Sequence, residues 1–363
     1  MKKLLLLLLF IGSHGFTQIL QSEDFNALTV GDVAPNITGA GAPGQGGFSL
    51  FSVNFFGAAG TVTTTTSAAV TNAQIIDSLS ANALSLSVTG PNGNNGGVFL
   101  YNSDLTTLWP ARTAGNDFIE IEVDVNTNAI STSRNVVGLY LYDAAGSKVL
   151  VGFNIRAETK QLSFVAYSTP AGTNPSTGMP YAPANYNYSL AAAPGVVLPA
   201  NTVVRIGVSY NKTTGAVLIK APGVAPAGIA LVSSAIGTDP AEIDFIAFSG
   251  STTAIPNTSS ASMTFDNLTV KATATSTLLL KNDAFFQTNF SVYPNPATDL
   301  VNITKKNNVE VNSISITDIN GRIVKEVVSN EINLISIADL TAGIYLLKIV
   351  TAEGTGTTKL FKN

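Results

Sequence analysis

Through the middle of the chain, apolar and polar residues alternate with a period of about two, not the roughly 3.6 of a helix. Ile119-Glu120-Ile121-Glu122-Val123-Asp124-Val125 is the plainest run, apolar on one face and acidic on the other. That is the pattern of a half-buried strand. Val137 to Tyr142 and Val149 to Arg156 flank Asp143-Ala144-Ala145-Gly146 and predict a hairpin. A turn at Glu158-Thr159-Lys160 leads into a strand from Leu162 to Tyr167. Val203 to Tyr210 and Ala216 to Lys220, separated by Asn211-Lys212-Thr213-Thr214-Gly215, predict a second hairpin, and Met263 to Val270 a closing strand. Neither a sustained helical period nor a repeat of solenoid or propeller length interrupts them. Short strands joined by hairpins, without crossover helices, predict an all-β fold: an antiparallel β-sandwich over residues 18–271.

Residues 272–288 read as a linker that starts Ala-Thr-Ala-Thr-Ser-Thr. Its Leu278-Leu279-Leu280 and Phe285-Phe286 are too apolar for a fully solvated tether. From 289 to 363 short strand signals recur: Leu300 to Ile303, Val311 to Thr317, Arg322 to Val328, Ile332 to Ile337, Ile344 to Val350 and Thr357 to Phe361. They predict a small Ig-like β-sandwich, with a tight turn at Asn320-Gly321, residues that tolerate φ > 0. At the front, Lys2 and Lys3 precede an apolar stretch from Leu4 to Ile11, and Gly15 and Thr17 offer small residues for cleavage before Gln18. Residues 1–17 thus read as a secretory signal peptide. The apolar stretch is too short to span a bilayer, which takes about 20 residues of helix.

Composition narrows the chemistry. The chain of 363 residues is 45% hydrophobic, enough for a substantial core, and only 12% charged. It has no cysteine, and its single histidine, His14, falls in the signal segment. A mature product would therefore lack the ligands zinc sites mostly use and the imidazole base of Ser-His-Asp or Cys-His catalysis. Disulfides and lipid attachment to cysteine are excluded as well, so any chemistry rests on carboxylates, Tyr, Lys or Arg. From Gln18 to Asp283 there are 16 acids against 10 bases, and from Ala284 onward 7 of each. An acidic domain without a Lys/Arg cluster is a poor match for phosphates, and no nucleic-acid partner is expected.

At the C-terminal end several motifs fall in order. Phe290-Ser291-Val292-Tyr293-Pro294-Asn295-Pro296-Ala297 comes first, then Asp318-Ile319-Asn320-Gly321. Leu340-Thr341-Ala342-Gly343-Ile344-Tyr345-Leu346-Leu347-Lys348-Ile349 follows, and the chain stops on Lys359-Leu360-Phe361-Lys362-Asn363. This series resembles the type A C-terminal sorting domain of the type IX secretion system, found on exported proteins of Bacteroidota. The resemblance implies that Tyr293, Pro294, Asn295, Pro296, Gly321, Gly343, Tyr345, Lys359 and Lys362 carry the sorting signal, with Lys359 and Lys362 read by the outer-membrane translocon. It further implies passage through the periplasm and removal of the domain by a sorting peptidase. Release, or attachment to outer-membrane lipopolysaccharide at the cell surface, would follow. The central region is similar to the concanavalin A-like (laminin G-like) jelly roll. The resembling parts are Glu23-Asp24-Phe25-Asn26, Gly138-Leu139-Tyr140-Leu141-Tyr142-Asp143, Arg205 and Phe265-Asp266-Asn267-Leu268.

Strand parity supplies candidate site residues. If Leu139, Leu141, Phe153, Ile155, Val204 and Ile206 face the core, then Tyr140, Tyr142, Asn154, Arg156 and Arg205 face away. On a sheet shared with the acidic strand, these would form a surface of rings, amide, guanidinium and carboxylate suited to sugars. Tyr181, Tyr186 and Tyr188 lie between Thr169 and Pro199, a segment long enough to read as a binding loop or as a cover over one sheet. Trp109, beside Pro110 and near Arg112, is core filler or a sugar platform. Glu120, Glu122 and Asp124 are the carboxylates open to a glycoside hydrolase or polysaccharide lyase, the other reading being a solvated strand face. Their Glu-x-Glu-x-Asp order departs from the Glu-x-Asp-x-x-Glu of many jelly-roll glucanases. Asp24 and Asp266 would meet if the first and last strands pair, and they suit a structural Ca²⁺, although no Asp-x-Asp-x-Asp loop is present. No other cofactor is expected. Asp77-Ser78-Leu79 matches a short bacterial O-glycosylation pattern. The leading reading is a secreted or cell-surface protein binding carbohydrate or a surface glycan. A polysaccharide-cleaving enzyme and an adhesive or structural surface protein are the alternatives.

Overall fold

The computed structural model describes residues 17–54, 68–77, 83–173, 178–190, 195–224, 228–250, 256–278, 286, 289–305, 311–318, 322–327, 334–351 and 355–363. Lys2-Lys3, Leu4 to Ile11 and Gly15 of the expected signal peptide, Ser78-Leu79, and Asn320-Gly321 lie outside these residues. The chain divides into two units, Met1–Leu278 and Leu279–Asn363.

The first unit begins with β1 (Gln18–Glu23), β2 (Gly31–Asp32), β3 (Ser49–Val53), β4 (Ala73–Asp77), β5 (Leu84–Thr89) and β6 (Gly97–Asn102). It continues through β7 (Phe118–Asn126), β8 (Asn135–Asp143), β9 (Val149–Arg156), β10 (Gln161–Ser168), β11 (Ala184–Ser189) and β12 (Val196–Val197). The last are β13 (Val203–Asn211), β14 (Ala216–Lys220), β15 (Ile229–Val232), β16 (Pro240–Ser249) and β17 (Ser262–Thr273). Among the described residues, one sheet runs β15-β14-β13-β7-β17-β5-β4-β2, with β1 also paired on β17. The other runs β11-β10-β9-β8-β16-β6-β3, with β12 also paired on β10. Both are antiparallel, and together they form a jelly-roll sandwich.

Alternation decides what the sandwich buries. Ile119, Ile121, Val123 and Val125 of β7 point inward and are fully buried, as are Ile206 and Val208 of β13 beside them. Leu139, Leu141, Phe153, Ile155, Phe164, Ile243 and Phe245 complete the same core from the second sheet. Each such side chain contributes roughly 1.5–3 kcal/mol on burial. The predicted hairpins form in register, Leu139 opposite Phe153 and Val208 opposite Ile219. In β17 the alternation breaks between Asp266 and Thr269, where Asn267 adopts a left-handed φ of 50°. This bulge lets Phe265 and Leu268, three apart in sequence, both reach the core. Trp109 is core: fully buried, it donates its indole N–H to Asp239 at 2.7 Å and carries Arg112 over its ring.

In the second unit β18 (Phe290–Tyr293), β19 (Leu300–Lys305) and β22 (Leu334–Ser336) form one antiparallel sheet. A second sheet is ordered β21 (Ile323–Val327), β20 (Val311–Thr317), β23 (Gly343–Thr351), β24 (Thr355–Lys362). Val301, Ile303, Ile314, Ile316, Leu347, Ile349 and Leu360 close the core of this small sandwich.

Candidate functional site

The acidic strand faces outward from the nine-stranded sheet, but it is not solvated. Glu120 is completely buried, accepting hydrogen bonds from the Ser276 hydroxyl and from the amide and hydroxyl of Thr277. Glu122 receives Lys271 Nζ at 2.7 Å and Arg205 Nε at 3.2 Å. Arg205 also reaches Asp124 at 2.9 Å, and the Asn267 amide donates to Asp124. Burial alone would raise the Glu122 carboxyl; Lys271 and Arg205 outweigh it and hold the group below the usual carboxylate range. A carboxylate held ionised and saturated with donors is unsuited to donate a proton at neutral pH. Glu122 and Asp124 therefore form a structural ion-pair network with Lys271 and Arg205, while Glu120 is capped by Ser276 and Thr277; the solvated-face expectation is corrected.

The expected grouping of Arg205 with the tyrosines is also corrected. Arg205 lies on β13 in the nine-stranded sheet, whereas Tyr140, Tyr142, Asn154 and Arg156 lie on β8 and β9 in the eight-stranded one. They belong to opposite outer faces of the sandwich. The segment from 169 to 199 is not a free loop, because β11 and β12 within it pair with β10. Tyr186 stands opposite Ala166 and Tyr188 opposite Phe164, which turns both toward the core side, away from Tyr140. Tyr181 packs edge-on against Tyr186. Arg156 sits at the far end of β9 beside Glu158.

What the outer face of the eight-stranded sheet does bring together is a row read directly from the register: Ser49, Tyr101, Asp244, Tyr140, Gly152, Val165. The parallel row runs Phe51, Phe99, Ile246, Gly138, Asn154. A Cβ at Gly152 would lie 2.6 Å from Tyr140 Cδ1, so glycine is what lets the tyrosine ring lie across the sheet. Tyr140, its hydroxyl bonded to the Asn154 amide at 2.9 Å, is buried and its pKa is pushed up to about 12. Asn154 passes the contact on to Asn187.

Beside Tyr140 a cleft of ≈ 300 Å³ opens. Its floor is Phe99 and Tyr101 from β6, Tyr142 from β8, and Glu242 and Asp244 from β16; Phe51 and the Thr38-Gly39 segment form one wall and Gly146 the other. Gly39 is required there: its φ is +70°, and a Cβ would approach the Tyr101 hydroxyl, which donates to Gly39 O, to 2.8 Å. Asp244 is 3% exposed, and its Oδ1 has no hydrogen-bond partner. Burial, with Glu242 alongside, pushes its carboxyl well above the usual carboxylate range. Glu242 itself receives the Ser103 hydroxyl at 2.6 Å. Burial and the same two acids raise the Tyr142 hydroxyl as well. Among the cleft residues, sequence reading selected only Tyr142. The signal for the acids was present, since Glu242-Ile243-Asp244-Phe245 alternates as 119–125 does.

Near the paired β1 and β17, Asp266 accepts its donors from Asn267 N and the Ser85 hydroxyl, and burial raises its pKa. Asp24 Oδ1 accepts Asn26 N. Among the described residues no group of three or more His, Cys, Asp or Glu side chains could hold a metal ion.

In the second unit the two ends of the sorting series meet. Asn295 donates its amide to Lys359 O at 2.7 Å and accepts Phe361 N at 2.8 Å. Ala297 N bonds Phe361 O, and Asn363 N bonds Ala297 O. The Tyr293–Ala297 segment thus clasps the last strand. Tyr345 is buried and donates to Thr341 O, while Gly343 opens β23. Lys359 and Lys362 lie on β24, and Gly321 lies outside the described residues.

Residues 291–363 match the family model described as the secretion system C-terminal sorting domain. The second unit is such a domain, and it marks the chain for export by the type IX secretion system to the cell surface or extracellular space. Comparison with curated proteins finds no match. Among solved structures the chain is similar to an alginate lyase of the PL-14 family from Aplysia kurodai, at 10% identity and a TM-score of 0.42, covering 69% of this chain and 98% of that one. It is similar to the alginate lyase vAL-1 from Chlorella virus at 11% identity and a TM-score of 0.36, covering 55% and 88%. The galectin LEC-6 from Caenorhabditis elegans follows at 10% identity and a TM-score of 0.26, covering 42% and 82%. At such distances they say nothing about this chain's ligand.

Proposed function

We propose that the first unit is a carbohydrate-binding domain, delivered outside the cell by the sorting domain, and that it holds a saccharide in the Asp244 cleft. The observation that carries this is the cleft itself: Phe51, Phe99 and Tyr142 beside a buried carboxyl with an unmet oxygen. Rings cover the apolar face of a sugar, and the carboxyl and hydroxyls orient it, the mixture expected of a ligand site. In this reading the outer-membrane translocon engages the sorting domain and a sorting peptidase removes it. The jelly roll then remains outside, released or held on lipopolysaccharide.

Hydrolysis is the weaker reading. Glu242 and Asp244 are near enough to share a hydrogen bond, whereas retaining glycosidases separate their carboxyls by about 5–5.5 Å and inverting ones by more. The test is binding of the full chain to a panel of polysaccharides, compared with Phe99→Ala and Tyr142→Ala. Each variant is expected to weaken binding about tenfold, about 1.4 kcal/mol. Failure to bind across the panel, or unchanged affinity in both variants, would overturn the proposal.

A further inference from the structure

Other acids in the first unit show what a satisfied carboxylate looks like here. Glu122 has Lys271 and Arg205, Asp117 has Arg112, and Glu158 has Arg134. Glu120 has Ser276 and Thr277, and Asp143 has the amides of Ser147 and Lys148. Asp244 is buried as Glu120, Glu122 and Asp143 are, yet its Oδ1 has no hydrogen-bond partner. No Lys or Arg lines the cleft among the described residues. The nearest hairpin's Lys148 sits over the Tyr167 ring. The other partner of Asp244 is Glu242, a second acid, and a buried carboxyl oxygen left without a donor costs free energy that a ligand donor recovers.

We propose that the saccharide bound in this cleft is an amino sugar, its ammonium group seated on Asp244 and Glu242 and its ring against Phe99 and Tyr142. This rests on the carbohydrate reading above and narrows it. An ammonium carries three donors and a positive charge, so one group can serve both carboxyls. A neutral hydroxyl brings one donor and leaves the charge uncompensated. A uronate would face two acids with no cation to hold it. Aromatic rings attract a cation placed over their faces.

Proton bookkeeping gives the proposal a signature. The groups facing Asp244 are Glu242 on its own strand, Tyr101 on β6, and Tyr140 and Tyr142 on β8. The tyrosines stay neutral, so the proton in the cleft is the one burial keeps on Asp244. Seating an ammonium releases that proton. Affinity therefore rises with pH as Asp244 ionises, and falls again once the ligand amine loses its own charge.

Isothermal titration of the full chain with a glucosamine oligosaccharide, its N-acetylated counterpart, an oligouronate and polylysine tests this across about pH 5.5 to 8.5. The glucosamine oligomer is expected to bind about tenfold more tightly than the N-acetylated one, with a proton released to the buffer, and Asp244→Asn is expected to abolish that preference. Glu242→Gln serves as the second variant should Asp244→Asn fail to fold. Equal binding of the acetylated oligomer or preference for the uronate would overturn the amine assignment while a saccharide site survives; polylysine binding as tight as the amino sugar would overturn the amino-sugar assignment in favour of a cation site that does not read the sugar. No binding by any sugar would overturn both proposals.

Discussion

Lys271→Met tests the reading of the acidic strand as an ion-pair network. The substitution keeps most of the side-chain volume and removes one of the two cations on Glu122. Lys271 and Glu122 have side chains only 15% and 7% exposed, 2.7 Å apart. Breaking a buried pair by removing one partner costs about 3–5 kcal/mol. Arg205 remains at 3.2 Å and offsets part of that, so a loss of about 2 kcal/mol is expected at neutral pH. The pH dependence fixes the cause. Glu122 is held below its unfolded pKa, so its contribution is complete above the unfolded value and is lost as pH falls through the folded one. The gap between parent and variant should therefore be widest near neutrality and shrink on acidification. Urea unfolding followed by fluorescence suits the measurement: urea leaves ion pairs unscreened. Trp109, the chain's only tryptophan, is buried in the first unit's core and reports on that unit alone. A loss under about 0.5 kcal/mol, the range of ordinary surface changes, or one constant from neutral to acid pH, would refute the network.

Two further outcomes follow from particular contacts. Gly152→Ala sets a Cβ 2.6 Å from both Leu139 O and Tyr140 Cδ1, and should destabilise the first unit by about 1–3 kcal/mol; urea unfolding within about 0.5 kcal/mol of the parent would remove the close-approach argument. Asn295→Ala deletes both side-chain hydrogen bonds to the last strand, at a cost of about 1–3 kcal/mol. Hydrogen exchange should show the Phe361 amide losing protection, and the chain should accumulate inside the envelope; a Phe361 amide exchanging as in the parent would refute the clasp. Asn295→Ala is a cleaner probe than deleting the terminus, because deletion also removes Leu360 from the core.

Much of the fold was legible because a period of two is a local property. The strand positions at 119–125, 137–142, 149–156 and 203–210 and the hairpins joining them all appear, since short-range pattern and turn residues determine them. Which strand lies beside which is not local. Parity correctly turned Tyr140, Asn154 and Arg205 away from the core, but it could not say that β8 and β13 belong to different sheets. That Tyr186 and Tyr188 sit on a strand was missed for a related reason: their segment is rich in Pro, Asn, Gly and Ala and lacks a strand signature. It is extended because it pairs with β10, a partner more than 15 residues away in sequence.

The two acidic strands make the same point at the level of chemistry. Glu120-Ile121-Glu122 and Glu242-Ile243-Asp244 are nearly identical patterns, and each presents its acids on an outer face. Neighbouring strands then separate their roles. β13 and β17 supply Arg205 and Lys271 beside Glu122, whereas β6 and β8 supply Tyr101, Tyr140 and Tyr142 beside Asp244. Cations on Glu122, with Ser276 and Thr277 on Glu120, turn the first pair into scaffold. Rings surround the second, desolvate it and leave it a cleft to look into. The alternation states where a carboxylate points; only its cross-strand neighbours decide whether it has a donor already or must find one in a ligand.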